Sequence, residues 1–151
     1  MRNQTMFGVV IILAVISTGL LIAQPDEELQ ICSLPSHQEE AFNENLFMLV
    51  KTLSFIHSER TPLENPRTLG LYHSLMISMR GYHEDQRGQI PECAQGLNEA
   101  YVQTITATQD VLGLMMAEKL NPNVKRYQSR LEAAKMDLNE QWKSFSVSMG
   151  E

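Results

Sequence analysis

Beyond residue 35 the apolar residues of this chain recur at steps of three and four, and no stretch alternates convincingly with a period of two. That spacing stacks side chains along one face of an α-helix and leaves a strand without a buried face. The first run is Phe42, Leu46, Leu49, Leu53 and Ile56; the second is Leu69, Tyr72, Met76, Met79 and His83. A third holds Leu97, Tyr101, Ile105, Leu112 and Met115. The fourth holds Val124, Tyr127, Leu131, Ala134, Leu138, Trp142 and Phe145. The expected class is all-α.

Helix punctuation supports the same division. Ser36 and Glu39 have the spacing of a capping box. Asn65-Pro66 reads as a cap followed by proline at the first helical position, and Asn121-Pro122 repeats that pair before the fourth run. The connections, near residues 57–65, 86–91 and 120–121, are short, so successive helices should run antiparallel. The expectation is an up-down-up-down four-helix bundle over residues 36–149, preceded by an N-terminal apolar membrane or signal helix. Each half would hold a cysteine, a helix, an Asn-Pro turn and a second helix, the pattern of a duplicated hairpin.

Residues 6–23 carry no charge, follow Arg2, and precede an acidic stretch at Asp26, Glu27 and Glu28. Positive before and acidic after places the remainder across the membrane. At a rise of about 1.5 Å per residue the run reaches roughly 27 Å, enough for a bilayer core. It is a cleaved signal peptide or a retained signal-anchor. Its length, and Leu21 at −3 of a cut after Ala23, favour the anchor. Residues 24–35 then form a linker. The expected location is extracytoplasmic, in a periplasm or at a cell surface, single-pass anchored or secreted after cleavage. Cys32 and Cys93 are the two cysteines, and export to an oxidising compartment predicts a disulfide between them.

The chemistry these residues exclude is as informative. A net charge of −6 argues against a nucleic-acid partner, because phosphates call for a basic surface. There is no G-x-S-x-G, H-E-x-x-H, P-loop or dinucleotide glycine pattern. The Glu-x-x-His pair of di-iron bundles and the C-x-x-C-H of covalent haem are missing as well. No enzymatic activity is expected.

Two sets of residues carry what specificity remains. Met76, Met79 and His83 lie within about 60° of one another on the second helix, and soft thioether and imidazole ligands suit copper(I) or haem b. The same sector contains Leu69 and Tyr72, so core packing accounts for it with less. No cofactor is therefore expected, with a haem b or copper site as the alternative. The second set is apolar excess: Phe47, Met48 and Phe55 on the first helix, Leu71, Leu75 and Ile77 on the second. They widen the apolar faces beyond one stripe, which points to a partner surface. The function expected is a non-enzymatic, membrane-tethered bundle that binds protein, as an accessory subunit, an inhibitor or immunity-type factor, or a homo-oligomer.

Overall fold

The computed structural model describes residues 34–58 and 62–150. Among these residues the fold is an all-helical bundle of four α-helices with no strand: α1 (Ser36–His57), α2 (Pro66–Asp85), α3 (Glu92–Leu120) and α4 (Arg126–Ser148). Two 3-10 turns, Pro62–Glu64 and Arg87–Gln89, lie in the first two connections. The apolar segment 6–23, most of the linker and Cys32 lie outside the described residues. No helix among the described residues is long and apolar enough to cross a membrane.

Local chemistry explains where the helices begin. Asn65 caps α2 as expected: its side-chain oxygen accepts the Arg67 N–H at 2.8 Å, and Pro66 occupies the first turn. The capping box at Ser36 does not form. Pro35 is the N-cap instead, in an extended conformation, and its carbonyl accepts the N–H groups of Gln38 (2.8 Å) and Glu39 (3.0 Å). Ser36 is thereby drawn into the first turn, where its hydroxyl cannot reach a cap position. Asn121-Pro122 also departs from expectation. Asn121 closes α3, its backbone N–H bonding Ala117 and Glu118 and its side-chain amide donating to Ala117 O at 3.1 Å. The chain then turns through Val124 before α4 starts at Arg126 with no side-chain cap. An Asn-Pro pair can stop a helix as readily as start one, because proline cannot continue the ladder behind it. The suggested duplication loses its main support there.

Side-chain pairings show how the helices align. Thr104 on α3 donates to the Gln141 carbonyl of α4 at 3.2 Å, and Tyr101 stacks near Phe145, 5.3 Å between centroids. Residue number falls on α4 as it rises on α3. On α2 and α3, His83 meets Tyr101 while His73 lies against Gly113. On α1 and α2, Phe42 meets His83 and Phe55 meets Tyr72. The backbones of α2 and α4 lie close along α3, whereas α1 stands off and reaches the core with its larger side chains.

The buried stripe follows the expected positions. Phe42, Leu46, Leu49 and Leu53 of α1 are buried, as are Leu69, Met76 and Met79 of α2 and Leu131, Leu138 and Phe145 of α4. Tyr72, Met115, Ala134 and Trp142 are only half-buried, and Val124 stands in the exposed turn. Threonines in the core satisfy their hydroxyls on the preceding turn: Thr52 donates to Met48 O at 2.7 Å and Thr108 to Thr104 O at 2.8 Å.

Replacing the fully buried Leu49 by alanine should cost about 2–5 kcal/mol in chemical denaturation. Phe47→Ala, two residues away and 52 % exposed, should shift stability by no more than about 0.5 kcal/mol. Equal effects would show that α1 packs on a different face.

Candidate functional site

The densest chemistry lies where the N-terminal half of α1, the C-terminal end of α2 and the N-terminal third of α3 converge. His83 occupies the last turn of α2, next in sequence to Glu84 and Asp85. Glu84 and Asp85 are exposed, and Arg80 lies 3.6 Å from Glu84. His83 itself is 4 % exposed. The helix period turns it inward with Met76 and Met79, while its two acidic neighbours face out.

Around the imidazole stand three rings, all roughly perpendicular to it: Tyr101 at 4.8 Å, Tyr82 at 5.2 Å and Phe42 at 6.2 Å between centroids. Edge-to-face packing of this kind adds to the area buried. Asn45 of α1 donates its amide N–H to His83 Nε2 at 3.2 Å. A ring that accepts at Nε2 carries its proton on Nδ1. The side-chain bond to Asn98 of α3 favours the protonated ring, so there the imidazole donates. A neutral imidazole thus ties α1 to α3 through two amides. Burial pulls its pKa below the ordinary 6.5, and the Asn98 bond opposes that shift without cancelling it. Tyr101 is fully buried, its hydroxyl without a hydrogen-bond partner, and burial pushes its phenol up.

A small cavity of about 20 Å³ adjoins the ring, lined among others by Leu34, Gln38, Phe42, Ile90 and Asn98. That volume admits about one water molecule. Gln38 is 6 % exposed and its Oε1 lacks a partner, which gives such a water one acceptor. Ile90 and Ala94 form a small apolar cluster over this end, which half-buried Leu34 joins to the main core. Cys93 lies one residue before Ala94, in the first turn of α3. It is disulfide-bonded and so does not titrate.

Met76 and Met79 belong to the main apolar cluster, and His83 Nε2 accepts from Asn45. The three residues share the buried stripe of α2. Among the described residues no group of three or more histidine, cysteine, aspartate or glutamate side chains is placed to hold a metal.

The expected partner surface divides. Phe55 packs edge-on against Tyr72, 5.6 Å between centroids, and Met48 and Leu75 lean on the core beside it. Leu71, one turn from Leu75, is 66 % exposed. These four line the outer side of the α1–α2 seam. Ile77 does not join them: at about 100° per residue it and Leu71 leave the buried stripe of α2 by about 120° in opposite directions. Phe47 points about 130° from the buried stripe of α1, with Asn43, Glu44, half-buried Val50 and Lys51 as its helical neighbours. It is the exposed apolar residue of that neighbourhood, which is ordinary.

Asn45, Asn98 and Gln38 were absent from the residues singled out in the sequence. The signal was available, since Gln38, Asn45 and Thr52 recur every seven residues along the apolar stripe of α1. Polar residues at core positions require partners. Comparison of the chain with protein-family models, curated proteins and solved structures gives no match.

Because His83 is held below its ordinary value, the unfolded chain takes up the proton more readily. The stabilisation is complete above pH about 6.5 and is lost as pH falls through 6.5 towards the lowered folded value. Denaturation midpoints between pH 7.5 and 5 should therefore decline, and His83→Phe should flatten that decline even if it lowers stability throughout. An unchanged slope in the variant would remove His83 as the cause.

Proposed function

We propose that this chain is a non-enzymatic, extracytoplasmic helical-bundle protein with up-down-up-down topology, tethered through residues 6–23, that binds another protein. The observation carrying this reading is the apolar seam between α1 and α2. Leu71 is largely exposed there and continues directly into half-buried Leu75, Met48 and Phe55. A helix surface of that kind, with a large aliphatic side chain in water beside partly covered ones, is where a partner helix gains most by docking. The non-enzymatic part rests on the catalytic motifs missing from the sequence. An accessory subunit, or an inhibitor or immunity-type factor, fits such a surface.

The tether reading rests on the uncharged run 6–23 and its flanking charges. A Cys32–Cys93 bond fits the same location. Cys93 is bonded and Cys32 is the other cysteine of the sequence. It would place a staple beside the Leu34–Ile90 cluster.

A photocrosslinker at position 71, in protein expressed with its native membrane fraction, should yield one discrete adduct. The same probe at Glu140, exposed on α4, should yield none. Absence of an adduct at 71, or the same pattern at both sites, would sink the partner surface. Separately, reducing the full chain should lower its stability by about 4 kcal/mol, since the bond closes a loop of about 60 residues. Two free thiols in the untreated, exported protein would contradict the staple.

A further inference from the structure

The turn between α3 and α4 differs from the rest of the molecule in charge. Residues 119–130 hold Lys119, Lys125, Arg126 and Arg130, four of the chain's 12 lysines and arginines, and no acid, in a protein of net charge −6. All four are exposed, and none lies in an ion pair among the described residues, although Arg80, Arg87 and Lys135 each do. Between them Leu120 is 63 % and Val124 36 % exposed. The Arg126 guanidinium lies over the Tyr127 ring, 5.5 Å from its centroid.

At the other pole of the bundle, where α1 and α3 begin and α2 ends, stand Glu39, Glu40, Glu84, Asp85 and Glu92, all exposed. The charge of the bundle is therefore polarised along its axis.

From this we infer that the α3–α4 turn is a docking surface for an anionic phospholipid bilayer. The four cations are all exposed and spread along one helix–turn–helix stretch, so they suit a flat, extended anionic surface better than one buried carboxylate. Two aliphatic side chains at the apex would enter the headgroup boundary while the lysine and arginine heads stay with the phosphates. The acidic pole, repelled by the same lipids, would orient the bundle end-on. With residues 6–23 embedded and Cys32 held beside Cys93 at the acidic pole, the intervening residues reach at most about 32 Å. That is short of the roughly 43 Å that α3 spans, so an anchored chain meets a second, facing bilayer and a cleaved chain meets either.

The test uses the full chain with Val124→Trp as a reporter in the turn and Trp142→Phe to silence the native tryptophan. It is mixed with vesicles of brominated phosphatidylcholine, with or without about one third phosphatidylglycerol. Quenching should appear on the anionic vesicles alone and vanish at about 0.5 M salt, where charges are screened within a few ångströms. Lys125→Gln and Arg126→Gln should each weaken it about fivefold, the effect of about 1 kcal/mol per cation near an anionic surface. The fluorophore sits at the pole away from residue 36, so insertion of the N-terminal segment does not itself produce the signal. No quenching on anionic vesicles, or equal quenching on neutral ones, overturns the inference. A response to soluble polyglutamate without one to vesicles would assign the turn to an acidic polypeptide. A response to protein concentration alone would assign it to a second copy. Either result also overturns it.

Discussion

Tyr101 holds the bundle together in a way no other side chain does. It is fully buried on α3, and its ring meets one aromatic ring from each of the other helices. Phe42 of α1 and His83 of α2 lie 4.8 Å away, and Phe145 of α4 lies 5.3 Å away. A ring at that position requires three helices to be in register at once. The remaining apolar stripes then continue the contact outward from it. The ring chain ends at Trp142, 5.7 Å from Phe145, so the single tryptophan of the protein reports on a cluster that begins at Tyr82.

Beside that ring the protein keeps a polar knot inside an apolar end. A buried neutral imidazole, two amides and an unpartnered glutamine oxygen are costly to desolvate unless they find one another. What they contribute is specificity of alignment. Asn45 and Asn98 meet His83 only when α1 and α3 stand at one axial position relative to α2. Sliding any helix by a turn would leave buried polar groups unpaired, and an all-aliphatic core would not penalise the slip in that way.

Helical class and the buried stripes could be read from spacing alone because apolar periodicity records burial directly. The stripe of α2, from Leu69 to His83, is an example. The capping signals were less reliable. Asn65-Pro66 performs as its letters imply, while Asn121-Pro122 terminates α3 and Ser36 lies inside the first turn of α1. The same residue types serve both roles, and the flanking proline geometry decides between them. The fate of His83 was not legible because the sequence shows that it shares a face with Met76 but not what comes to meet it from α1 and α3. Apolar width was legible, but not its direction. Phe55, Met48 and Leu75 are half-buried along the α1–α2 seam beside exposed Leu71, whereas Phe47 and Ile77 leave their helices in unrelated directions.

The stand-off of α1 bears on how the chain comes together. The close backbone approaches are those of α2 with α3 and α3 with α4, pairs of neighbours in sequence that close cheaply and form early. Helix α1 leaves the ribosome before its partners exist, yet its buried side chains have nothing to cover them until α2 and α3 have followed. During that interval Leu46, Leu49 and Leu53 form a bare apolar strip on a growing polypeptide. Of the four helices described, the earliest made is the one with the fewest close backbone approaches, and its apolar strip stays uncovered until α2 and α3 have been made.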